Sequence, residues 1–106
     1  MTVIEREILD TFKALVSKRI RIHQLFLFGS RARGDAAPSS DMDVLVVTTN
    51  EFSENDADHI SDCAWEAGFE RGIVVVPVIF SMEEWEKGPD RYSLLARAIE
   101  ADGVPV

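Results

Sequence analysis

The sequence predicts a small α/β protein, with a mixed, twisted sheet of three or four strands and helices packed on one face. Three observations predict it. Stretches with apolar residues at helical spacing alternate with short, almost wholly apolar runs, the pattern of strands buried under helices. Gly, Pro, Ser and Asn cluster between these segments and mark the turns. The 106 residues give room for one core and not two, so a single domain spanning 1–106 is expected.

The first helix is expected over Val3–Arg19, where Ile4, Ile8, Leu9, Phe12, Leu15 and Val16 recur at three and four with charges between them. Arg21–Phe28 reads as the first strand, and it ends abruptly at Gly29-Ser30. His23 lies near the start of that strand, far from Gly29, and reads as a strand-entry residue rather than a ligand. A short basic turn or helix follows, broken at Gly34-Asp35, and Ala36–Ser40 is a loop by composition. Asp41-Met42-Asp43 opens a second apolar run, Val44–Val47.

Ser53-x-x-Asp56 has the spacing of a capping pair. Behind it, Ala57, Ile60, Ala64 and Ala67 make a helical stripe that stops at Gly72. His59 and Asp62 read as a solvated helix face, since no further ligand stands at metal-site spacing, and Cys63 as a buried small hydrophobe. Ile73–Phe80 is the third strand, and Pro77 within it marks an edge or a bulge. Ser81-x-x-Glu84 is a second capping box, and Trp85 a core or lid aromatic. Lys87-Gly88-Pro89-Asp90 is a break. Ser93–Ala101 is a last helix with Leu94, Leu95, Ala98 and Ile99 expected inside, and Val104–Val106 a short strand.

The net charge of −8 disfavours an extensive nucleic-acid surface. It is unevenly spread: residues 1–34 carry +4 and residues 35–106 carry −12. No apolar run approaches the roughly 18 residues of a membrane span, and the start of the chain has no signal-peptide pattern. One cysteine forms no internal disulfide, which points to the cytoplasm.

The chemistry concentrates between Phe28 and Val47. Asp41 and Asp43 are two apart, so on a strand their carboxylates share one face. Two carboxylates facing a Gly-Ser turn suit a divalent metal that itself carries phosphates. Gly29 allows a tight turn and close approach of a ligand to the backbone. Ser30 offers a hydroxyl and an N–H at a helix start, either as a phosphate seat or as a plain N-cap. Arg31 and Arg33 beside it could add charge-assisted bonds to phosphate.

Gly29-Ser30, ten residues, then Asp41-x-Asp43 resembles the signature of the polymerase-β-type nucleotidyltransferase superfamily. Within it, Gly29–Gly34 and Ser40-Asp41-x-Asp43 resemble the minimal nucleotidyltransferases, the MNT proteins found with a HEPN partner. Weaker likeness runs through Val78–Trp85 and Leu94–Val104. The resemblance implies the nucleotidyltransferase fold and transfer of a nucleoside monophosphate, AMP from ATP, to an acceptor such as a HEPN-type toxin. It implies Asp41 and Asp43 as catalytic ligands of Mg2+ or Mn2+, and Gly29, Ser30, Arg31, Arg33 and Ser40 at the nucleotide phosphates. In the wider superfamily a third carboxylate on the next strand helps activate the acceptor. Ile73–Phe80 holds no acid, and Glu83 and Glu84 come only after it. That departure keeps a second reading open, a nucleotide-binding antitoxin or regulatory subunit that acts by binding its partner. An antibiotic nucleotidyltransferase is the weaker third, for want of a second domain to hold a drug.

Overall fold

A computed structural model describes residues 1–88 and 93–106; Pro89 and Asp90 of the expected break lie outside the described residues. The elements run α1 (Val3–Ser17), β1 (Ile22–Phe28), α2 (Ser30–Arg33), β2 (Met42–Thr48), α3 (Glu54–Phe69), β3 (Val75–Ser81), α4 (Met82–Lys87), α5 (Leu94–Asp102) and β4 (Val104–Pro105). The sheet order is β3-β2-β1-β4. β1 pairs antiparallel with both β2 and β4, while β2 and β3 are parallel, joined through α3. The expected mixed sheet is present with four strands. β3 is an edge strand, where a proline such as Pro77 is tolerated.

Capping chemistry places the helix starts. The Thr2, Ser53 and Ser81 hydroxyls accept from the backbone N–H of Glu5, Asp56 and Glu84, and each acid accepts the N–H of its capping residue in return. Glu84 is thus a capping residue. Ser93 accepts from the Ala96 N–H and starts α5. α5 turns Ala96 and Ile99 inward and leaves Leu94, expected inside, 83% exposed.

The period-two alternation of β2 sends its side chains to two different layers. Met42, Val44 and Val46 join Leu25, Leu27 and Val75 against Ile8, Leu9 and Phe12 of α1 and Ile60, Cys63 and Ala64 of α3. Leu45 and Val47 face the other way, with Phe26, Phe28, Val78 and Phe80, and meet Trp85 of α4 and Ala96 and Ile99 of α5. The two long helices therefore share one face, as expected. The short α4 and α5 cover part of the opposite face, because that face is apolar too and needs shielding from water. Trp85 is a core residue, its ring 5.5 Å from that of Phe80. Among the described residues no helix is long and apolar enough to cross a membrane.

In α1 the burial differs from the expected stripe. Ile4 is exposed, and the inward position one residue on is taken by Glu5, only 4% exposed. A buried carboxylate needs a partner, and that partner lies in the candidate site.

Candidate functional site

The site is built where β1 ends and β2 begins. These strands are antiparallel neighbours, and their register pairs Phe28 with Asp43. The residue after Phe28 must therefore turn sharply beside the Asp43 side chain. Gly29 does so at φ 74°, ψ −156°, a conformation open to glycine. A Cβ there would stand 2.6 Å from Asp43 Oδ2, so a side chain has no room.

Gly29 also takes the N-cap position of α2, its carbonyl accepting from the N–H of Ala32 and Arg33, both at 3.1 Å. Ser30, weighed from sequence as an N-cap, is instead the first helical residue. Its hydroxyl takes no partner among the described residues. α2 ends after one turn at Gly34, φ 81°, and the chain passes through the 36–40 loop to Asp41.

Asp41 is exposed and Asp43 half-buried. Burial first, and then the negative charge of Asp41, pushes the Asp43 carboxyl above its ordinary value. The two carboxylates thus sense each other, and the attraction of a divalent cation held by both would offset the repulsion and the cost of burial. The donor set of two carboxylates beside an open backbone turn fits one hard cation that completes its shell with phosphate oxygens and water.

Arg33 lies at the surface, its Nε 3.3 Å from Asp35 Oδ2 in an exposed pair of the kind that contributes little. Arg31, expected at phosphate, turns the opposite way. It is 8% exposed, with Nη1 donating to Glu5 Oε2 at 3.1 Å, Nη2 to Pro38 O at 2.9 Å, and Nε and Nη2 to Ser40 O at 2.9 and 2.7 Å. Ser40 precedes Asp41 directly, and its carbonyl is taken by Arg31. Glu5 is the residue that sequence reasoning missed. The Thr2-x-x-Glu5 spacing announces a capping box, but a partner 26 positions away leaves no local signal.

Among the described residues no third carboxylate joins Asp41 and Asp43, and β3 itself holds no acid. Val76 on β3 is in register with Asp43, and Val74 precedes it on the same face. Both are exposed, at 36% and 49%, so β3 presents apolar side chains beside Asp43. No group of three or more His, Cys, Asp or Glu able to hold a metal occurs among the described residues. His59 touches the Cys63 sulfur at 3.6 Å and gathers no further ligand.

The model of the nucleotidyltransferase domain family matches residues 5–103. A Methanocaldococcus jannaschii protein that carries the provisional name of protein adenylyltransferase is 36% identical over 84 residues, which are 78% of this chain and 79% of that protein. Among solved structures, a chain in the crystal structure of a toxin–antitoxin with AMP-PNP aligns with a TM-score of 0.64 at 16% identity, over 95% of this chain and 70% of that one. A chain in the complex of tri-AMPylated Shewanella oneidensis HEPN toxin with MNT antitoxin aligns with a TM-score of 0.55 at 13% identity, over 97% and 71%. At these identities the structural matches establish the shared fold.

Proposed function

The chain belongs to the nucleotidyltransferase domain family, and from that premise we propose that it transfers AMP from ATP to a hydroxyl of a protein acceptor, a HEPN-type toxin that this modification neutralises. The observation that carries the reading is the approach of the Asp43 carboxylate to the side-chain-free backbone of Gly29, with the Asp41 charge bearing on the same carboxylate. Relatives named for protein adenylylation and for a toxin–antitoxin with AMP-PNP supply the acceptor class and the nucleotide.

In this reading the Ser30 hydroxyl and N–H hold the outer phosphates, and Arg33 adds an exposed positive charge from the rim. Asp41 and Asp43 would hold Mg2+ or Mn2+, which when bound neutralises phosphate charge and orients the α-phosphate for in-line attack. The acceptor oxygen forms a bond to the α-phosphorus as the α–β bridging bond breaks and pyrophosphate leaves. The acceptor proton goes to water or to a group on the partner, because β3 offers Val76 at that place. Orientation by docking of the partner then carries much of the rate. A reducing cytoplasm with millimolar Mg-ATP suits such a protein.

Val74 and Val76 favour one other reading, a subunit that binds nucleotide and suppresses its partner without transfer. Purified protein, a co-encoded HEPN-type partner, Mg2+ and ATP labelled at the α-phosphate separate the two. Label on the partner, lost in Asp41→Asn, supports transfer. Suppression of the partner without label supports binding alone.

A further inference from the structure

Arg31 lies inside the signature stretch, yet its donors serve the protein. Its bond to Glu5 joins side chains that are 7% and 6% exposed. Glu5 Oε1 in turn accepts the Thr2 N–H at 2.8 Å, and Thr2 Oγ1 accepts the Glu5 N–H at 3.1 Å. The first turn of α1, the one-turn helix α2 and the loop before β2 thus converge on one guanidinium. Such a pair is an uneconomical way to gain stability. Removing two charges from water is costly, and apolar groups of similar volume often stabilise a fold as well or better. What apolar groups cannot do is hold a carbonyl in a fixed direction.

Two of the Arg31 donors hold the Ser40 carbonyl. The carbonyl of Ser40 and the N–H of Asp41 belong to one rigid peptide plane. Fixing that plane fixes the direction in which Asp41 leaves the loop, and so where its carboxylate stands relative to Asp43. The Pro38 contact pins the same loop two residues earlier. The Glu5 carboxylate holds the guanidinium in plane for these bonds, an orienting role that a planar fork can serve and an ammonium cannot.

We propose that Glu5 and Arg31 are positioning residues for the cation site: through the Ser40–Asp41 peptide they set the distance at which Asp41 and Asp43 share one divalent cation, and Arg31 does not bind phosphate. This rests on the metal-nucleotide reading above. It makes α1, which contributes no ligand, a determinant of metal affinity.

The test uses the whole chain, with Mn2+ as probe, followed by electron paramagnetic resonance titration with and without ATP, beside thermal melting. The variants are Glu5→Gln, Arg31→Met, Arg31→Lys and the apolar double variant Glu5→Leu/Arg31→Met. Loss of groups that orient metal ligands weakens metal affinity by about 10-fold to 100-fold. Glu5→Gln and Arg31→Met should each weaken Mn2+ binding on that scale, and Arg31→Lys should fail to restore it. The double variant should stay folded, melting close to wild type, and still bind Mn2+ poorly. ATP binding measured in EDTA should be the same in wild type and Arg31→Met.

Wild-type Mn2+ affinity in the folded double variant would overturn the proposal and leave the pair with a structural role. Weaker ATP binding in EDTA for Arg31→Met, with Mn2+ affinity intact, would overturn it in favour of a phosphate ligand. A wild-type protein that binds neither Mn2+ nor Mg-ATP would sink the metal-nucleotide reading and the proposal with it, whereas normal wild-type binding with unaffected variants sinks the proposal alone.

Discussion

The Asp43 carboxylate lies so close over Gly29 that a Cβ on the glycine would meet Oδ2 at 2.6 Å. Gly34, at the other end of the one-turn helix, shares a positive φ of 81° but has open space around it. The two glycines therefore separate backbone strain from contact. Alanine should cost about 1–2 kcal/mol at Gly34, which is left-handed, and about 1–3 kcal/mol at Gly29, whose φ 74°, ψ −156° lies in a region essentially reserved for glycine. Only Gly29→Ala should also displace Asp43 and abolish Mg-ATP binding. Urea unfolding of both variants, set beside calorimetric titration, checks this; equal retention of ATP binding would remove the close approach from the site.

Neutralising the carboxylate pair should spare the fold. Burial and the Asp41 charge raise the Asp43 pKa, so the folded protein carries the ionised form at a cost. At neutral pH and without metal, Asp43→Asn should melt at or above the wild-type temperature, while magnesium-dependent ATP binding disappears. A fall in melting temperature together with unchanged ATP affinity would contradict both halves.

The buried Glu5 behaves in the opposite sense. Burial alone would raise its pKa, but hydrogen bonds from Thr2 and Arg31 and the positive charge of Arg31 outweigh that and lower it. The folded state therefore takes up this proton less readily than the unfolded chain. The stability it contributes is present above the ordinary glutamate value of about 4.3, and is lost as pH falls through the lower folded value. Arg31→Met takes the cation from the buried Glu5 carboxylate and leaves it only the Thr2 N–H, a loss of about 3 kcal/mol at neutral pH. Unfolding curves from pH 7 to pH 3 should show wild type and Arg31→Met converging in the acid range, and a gap independent of pH would refute the linkage.

Introducing the absent acid gives the sharpest test of catalysis. Val76 is in register with Asp43 on the neighbouring parallel strand, and it is already exposed. Val76→Asp should tolerate the charge and raise slow AMP transfer to water or to the protein itself. Release of labelled AMP by the variant is the readout. A rate equal to wild type would mean that this face of β3 does not meet the reacting groups.

Much of this was legible from residue pattern. Four-residue apolar runs and Gly29-Ser30 announce the strand–turn–helix; of the two aspartates, Asp43 lies on β2 and Asp41 in the loop just before it, near enough for its charge to bear on Asp43. The capping boxes read at Ser53/Asp56 and Ser81/Glu84 are both formed. What escaped has one physical origin: partners chosen by the tertiary fold. Arg31 looks like a phosphate residue because local sequence shows Gly29-Ser30 beside it and not Glu5, distant in the chain. Leu94 and Ala96 exchange places because the face that α5 turns inward is set by its packing, with Ala96 and Ile99 against Leu45, Val47 and Trp85. The second covered face follows from counting apolar residues on both sides of β2, a count that local periodicity does not make.

The lone proline of β3 has a consequence for how copies of this protein behave in solution. The Met42 N–H donates to Val74 O at 2.8 Å, so even-numbered residues of β3 turn their backbone groups to β2 and odd-numbered ones turn outward. Pro77 is odd. Its ring interrupts the free rim of the sheet, beside exposed Val74 and Val76, with a position that cannot donate. A neighbouring chain seeking to add a strand there meets a gap in the ladder, and a valine-rich border that would invite fibre growth is kept from acting as a template.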